Sequence, residues 1–170
     1  MLMMLALKSG GNSDAPAMIE LVVEDETWDR ALPALDGLAQ DCHKAAVKME
    51  PDLEGEIALL AADDDMLQTL NNRFRNMDAP TNVLSFPSDD PPGFLGDIAI
   101  ARQTCVKEAA EKGISLRNHA AHLIVHGMLH LIGYDHQETA EAEAMERREA
   151  DILASLGIAD PYADAVEAST

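Results

Sequence analysis

The residues best placed to do chemistry in this chain are three histidines in the segment HGMLHLIGYDH: His126, His130 and His136. On a helix, a spacing of four stacks the His126 and His130 side chains on one face. Gly133 can take a positive φ and turn the chain sharply, which returns His136 toward the same point. Three imidazoles then converge on one transition-metal ion and leave a coordination position open. Such a set describes a catalytic site better than a structural one, because structural zinc usually has four protein ligands and commonly uses cysteine. The expected occupant is Zn2+, one ion per chain, which would acidify a bound water and polarise a carbonyl or phosphoryl oxygen. Nitrogen ligands alone also suit iron, nickel or copper. The competing explanation, a helix end with ordinary packed imidazoles, does not account for the exit glycine and the returning third histidine together.

The spacing equals the H-E-x-x-H-x-x-G-x-x-H pattern of metalloproteases, but Gly127 stands where their glutamate would activate water. Peptide hydrolysis thereby loses its usual proton acceptor, and the pattern points to another hydrolysis. Asp135 is a candidate for orienting a ligand histidine or handling a proton, with turn stabilisation or helix capping as its alternative. His122 lies on the face of His126 and is a candidate to orient the site from behind, or else a packing residue. His119 has a weaker claim, and His43, in a separate segment, is assigned no function.

The elements that must position these groups follow from periodicity and punctuation. Strands are expected at Ile19–Val23, Glu56–Ala61, Val83–Phe86 and Leu95–Ala101. One helix is expected over Asp29–Val47, tolerating Pro33 near its first turn, and another over Asp64–Phe74 capped by Asp63. Residues 103–112 suit a helix ended by Gly113, and Ser115 caps the histidine-bearing helix Leu116–Ile132. A last amphipathic helix spans Glu138 to Leu156, closed by Gly157 and Pro161. Pro87, Pro91 and Pro92 keep the segment after the third strand out of a sheet. This order predicts an α/β (α+β) fold: a single small domain over residues 17–160, with a mixed sheet of about four strands covered by helices, behind a leader over residues 1–16. No glycine fingerprint joins a strand to a helix, so Rossmann and P-loop readings fail.

The chain has 170 residues, 47% of them hydrophobic, enough for one core without cross-links. Cys42 and Cys105 read as buried thiols. The apolar start, Met1–Leu7, is too short for a signal peptide or a span, which leads to the expectation of a soluble, cytoplasmic protein with no membrane partner. A formal charge of −19 argues against a polyanionic partner. The distribution qualifies that: residues 1–70 carry 4 basic and 15 acidic side chains and residues 118–170 carry 2 and 10, whereas residues 71–117 carry 6 of each. A locally neutral or positive cleft is compatible with that middle segment, and so is a merely solvated surface.

Taken with Leu70-Asn-Asn-Arg-Phe-Arg75, Pro80-Thr-Asn-Val-Leu-Ser-Phe-Pro87 and Leu95-Gly-Asp-Ile98, the histidine segment resembles the YbeY family of metal-dependent endoribonucleases over about residues 55–150. The resemblance implies that His126, His130 and His136 bind zinc and that Arg75 is the arginine of the site, acting with His126 in catalysis. It also implies action on single-stranded RNA, in maturation of the 16S ribosomal RNA 3′ end and in ribosome quality control. The implied partners are the small ribosomal subunit or its precursor and ribosomal proteins. From the residues themselves, Arg75 can clamp a phosphate, and Thr81, Asn82 and Ser85 can line a substrate groove, with ion pairing or turn capping as their plainer roles. Asp97 is a further polar candidate in a strand-like run. Two other functions fit the same residues: a metal-stabilised ribosome assembly factor that does not cut RNA, and a metallohydrolase of another substrate.

Overall fold

A computed structural model describes residues 19–89 and 93–163. The expected leader at residues 1–16, together with Pro91 and Pro92, lies outside the described residues. Strands β1 (Ile19–Val23), β2 (Glu56–Ala62), β3 (Val83–Pro87) and β4 (Phe94–Ala101) form one sheet in the order β1-β2-β4-β3. β1, β2 and β4 run parallel, and β3 is antiparallel to β4. Helices α1 (Thr27–Ala31), α2 (Leu35–Met49), α3 (Asp64–Arg75), α4 (Arg102–Lys112), α5 (Leu116–Leu131) and α6 (Thr139–Ser155) surround it, with a 3-10 turn at Pro51–Leu53. The mixed, helix-covered sheet of the expected α+β fold is therefore present.

β2 reads EIALLAA, and every residue from Ile57 to Ala62 is buried, as a strand covered on both faces requires. On one face Ile57, Leu59, Ile98 and Ile100 pack with Leu35, Leu38 and Cys42 of α2, Ile124 and Met128 of α5, and Met145 and Ile152 of α6. On the other, Leu60, Ala62, Leu84, Ala99 and Ala101 meet Leu67 and Leu70 of α3. Each large side chain buried in this way contributes roughly 1.5–3 kcal/mol, so the site rests on a stiff two-sided support. Cys42 and Cys105 are free and buried, and burial pushes the Cys42 thiol up to about 12.

Two expected caps are present: Asp63 accepts from the Met66 N–H at 2.9 Å, and Ser115 from the Asn118 N–H at 3.0 Å. The single helix expected over Asp29–Val47 is corrected to two, α1 and α2, separated at Leu32-Pro33-Ala34. Pro33 offers no N–H, and its ring disfavours helical torsions at Leu32, which sits at φ −148° and ψ 79°. The break lets Trp28 turn into the core, where its Nε1–H donates to the Ala62 carbonyl at 2.8 Å.

Candidate metal centre and its cleft

α5 is buried along most of its length, and of its last two turns only His126 and His130 reach a half-exposed surface. Beyond it, Gly133 adopts φ 103°, a conformation that disfavours any side chain. The Gly133 N–H bonds the His130 carbonyl at 3.1 Å and the Tyr134 N–H bonds the Leu129 carbonyl at 3.0 Å, which closes the helix and sends the chain back. One ring nitrogen from each of His126, His130 and exposed His136 then lies within 4.8 Å of the others. The Nε2 atoms of His126 and His130 face each other at 3.1 Å. Ligand nitrogens about 2.0–2.1 Å from a tetrahedral zinc would stand about 3.3 Å apart, so the donor set fits a metal ion in number and chemistry, and the His126–His130 pair also in spacing.

The Nδ1 atoms of His126 and His130 are occupied from behind. His130 Nδ1–H donates to the Tyr134 carbonyl at 2.8 Å, and His126 Nδ1–H donates to Glu149 Oε2. These bonds leave each Nε2 lone pair free for the ion. Glu149 belongs to α6 and is 0% exposed. Its Oε1 also receives His122 Nε2–H at 2.9 Å and the Tyr162 hydroxyl. Burial alone would raise the Glu149 pKa, but hydrogen bonds from His122, His126 and Tyr162 outweigh it and hold the carboxylate down to about 2. His130 is pushed the other way, below its ordinary value, by burial and by neighbouring His126, which favours the neutral, metal-binding form. Sequence reasoning missed Glu149 and Tyr162. The available signal was that Glu149 shares a helical face with Met145, Ile152 and Leu153, an apolar stripe with one acid in it.

The triad opens onto a cleft of about 630 Å3 lined also by Arg75, Thr81, Asn82, Ser85 and Asp135. Arg75, at the last turn of α3, is exposed, and its Nη2 donates to the Ser85 carbonyl at 3.3 Å. Among the described residues its guanidinium has no carboxylate partner. Ser85 is buried and its hydroxyl donates to the Gly127 carbonyl at 3.0 Å, so it joins β3 to α5. The Asn82 amide donates to Glu108 at 3.0 Å, and the same carboxylate oxygen accepts His119 Nε2–H at 2.8 Å. Asp135 accepts the backbone N–H of His136 at 2.7 Å and so holds the turn of the third histidine. His122 reaches the triad through Glu149. His43 is buried against the Leu53 carbonyl, 2.8 Å away, apart from the site.

Gly127 explains the missing protease glutamate. A Cβ there would lie 2.9 Å from Ile98 Cγ2 and 3.1 Å from Ser85 Oγ, so close packing of α5 on the sheet leaves no room for a side chain. Asp97 lies in β4, between β2 and β3, fully buried, and neither carboxylate oxygen has a hydrogen-bond partner among the described residues. Burial raises its pKa to about 6.

Three histidines converging at the mouth of an arginine-bearing cleft, on a helix-covered mixed sheet, suit a hydrolase that could hold a metal ion. The model of one family, Endoribonuclease YbeY, matches residues 22–157, and the chain belongs to that family. An endoribonuclease YbeY of Rhodopseudomonas palustris (strain BisB18) is 45% identical over 158 residues, covering 88% of this chain and 94% of the relative. That of Sphingopyxis alaskensis is 55% identical over 121 residues, 64% of this chain and 72% of the relative. That of Rhizorhabdus wittichii is 46% identical over 166 residues, 86% and 98%. The solution structure of TM1509 from Thermotoga maritima shares the fold, with a TM-score of 0.53 at 22% identity over 82% of this chain and 91% of that one.

Proposed function

We propose that this chain is a zinc-dependent endoribonuclease that cuts single-stranded RNA, acting in maturation of the 16S ribosomal RNA 3′ end and in ribosome quality control. The observation that carries the reading is the convergence of three histidine nitrogens in the same cleft as an arginine that has no acidic partner among the described residues. His126, His130 and His136 would hold the ion, which when bound would supply a Lewis acid for a phosphoryl oxygen and lower the pKa of a bound water. Arg75 binds the phosphate and offsets the charge that grows on it as the phosphodiester is attacked. Thr81 and Asn82 flank the strand, and Ser85 fixes the floor of the cleft through its bond to α5. Asp135 keeps His136 turned inward, while His122 and Glu149 keep His126 oriented. The ribosomal destination rests on the family likeness, as does placement in the cytoplasm; no described helix is long and apolar enough to cross a membrane. Zinc-loaded protein is expected to cut single-stranded ribosomal RNA, and His130→Ala to abolish cutting while remaining folded. Intact RNA after incubation with fully loaded wild-type protein would overturn the reading.

A further inference from the structure

Two phenylalanines and two arginines form a continuous stack at β3, the strand that ends the sheet opposite β1. Phe74 and Phe86 meet edge to face, with ring centroids 5.6 Å apart at 63°. The Arg73 guanidinium carbon lies 5.4 Å from the Phe74 centroid, and that of Arg75 lies 5.9 Å from the Phe86 centroid. The pleat of β3 sends Ser85 and Pro87 to the metal cleft and Phe86 to the opposite face, against the Leu60 and Leu70 layer. Arg75 spans the two sides, because it lines the cleft, holds the Ser85 carbonyl and lies over Phe86. The metal cleft and the stack are thus two sides of one edge strand.

Phe86 has a packing role, but Phe74 does not join that layer and remains 37% exposed. Among the described residues neither Arg73 nor Arg75 forms an ion pair, in a chain whose formal charge is −19. A partly exposed ring with the Arg73 guanidinium over it and that of Arg75 over its ring neighbour matches an unpaired nucleobase and its flanking phosphates. A paired base offers no free face to such a stack.

Building on the endoribonuclease reading, we propose that Phe74, with Arg73 and Arg75, is a docking subsite for one unstacked base of the RNA strand whose phosphodiester lies in the metal cleft. The base stacks on Phe74 as Arg73 leaves the ring for the adjacent phosphate, and Arg75 holds the phosphate between base and metal. Preference for single strands then arises at the edge of β3.

The test uses the full chain with His130→Ala, so that no cutting intervenes, and a single-stranded RNA oligonucleotide containing 2-aminopurine. Binding pulls the base off its neighbours in the strand, and its fluorescence is expected to rise. Phe74→Leu keeps an apolar residue but weakens binding about tenfold and diminishes the rise, whereas Phe74→Tyr preserves the affinity. Arg73→Gln lowers the salt slope of binding by about 0.7, which Phe74→Leu leaves unchanged. Equal affinity and an equal rise in Phe74→Leu and the parent would overturn the subsite, as would an unchanged salt slope in Arg73→Gln. Cleavage by the otherwise wild-type protein is assayed separately. A fluorescence rise that depends on Phe74 in a protein that cuts nothing supports the subsite and removes the nuclease; normal cutting with a rise indifferent to Phe74 does the reverse.

Discussion

Glu149 accepts hydrogen bonds from both His122 and His126 while buried in the core, so its charge fixes which nitrogen of His126 points at the cleft. Glu149→Gln replaces one of the two acceptors with an amide that opposes a histidine N–H. Zinc affinity, read by competition with a chromophoric chelator, is expected to fall about 10–100-fold in a folded protein; an unchanged affinity would remove Glu149 from the site. Asp97 gives a pH prediction of opposite sign to that of an ion-paired acid. Burial raises its pKa from 3.8 to about 6, so the stability it contributes is complete below 3.8 and is lost as the pH rises through 6. Asp97→Asn should match wild type in denaturant melts below pH 3.8 and exceed it by up to about 3 kcal/mol at pH 8. At this scale the three histidines were legible because their spacing is local. Glu149 was not, since an acid in the acid-rich stretch EAEAMERREAD reads as solvent-facing until the partner of its helical face is known.

At the scale of elements, the close approach of α5 to β3 and β4 is what places the triad beside Arg75. Gly127→Ala inserts a methyl group 2.9 Å from Ile98 Cγ2 and forces helix and strand apart. Stability in a urea titration is expected to drop by about 1–3 kcal/mol, with weaker metal binding as the Ser85–Gly127 bond stretches; full stability would show that the contact relaxes freely. The strands, the caps at Asp63 and Ser115 and the exit at Gly133 were legible, since each rests on residues adjacent in sequence. The order β1-β2-β4-β3 and the reversal of β3 were not, because pairing between distant strands leaves no local mark. Pro33 was legible as a proline but misjudged as a first-turn residue, when its ring makes Leu32 the end of one helix.

For the whole molecule, a charge of −19 disfavours broad contact with RNA, and the balanced central segment, with an ion bound at the triad, would be the exception. Binding is therefore expected to rest on few phosphate contacts, with a logarithmic salt slope of about 2 to 3 for single strands and weaker binding of duplex. A slope of about 6 or more, or equal affinity for both forms, would indicate a broad basic face instead. Whether the histidine triad holds the metal with which the chain cuts RNA is decided by measuring zinc content and cleavage of single-stranded ribosomal RNA on the same preparations of wild type and His136→Ala. The wild type is expected to carry about one zinc per chain and to cut, with both lost in a folded His136→Ala protein. Undiminished cutting by His136→Ala protein that carries no metal would contradict this.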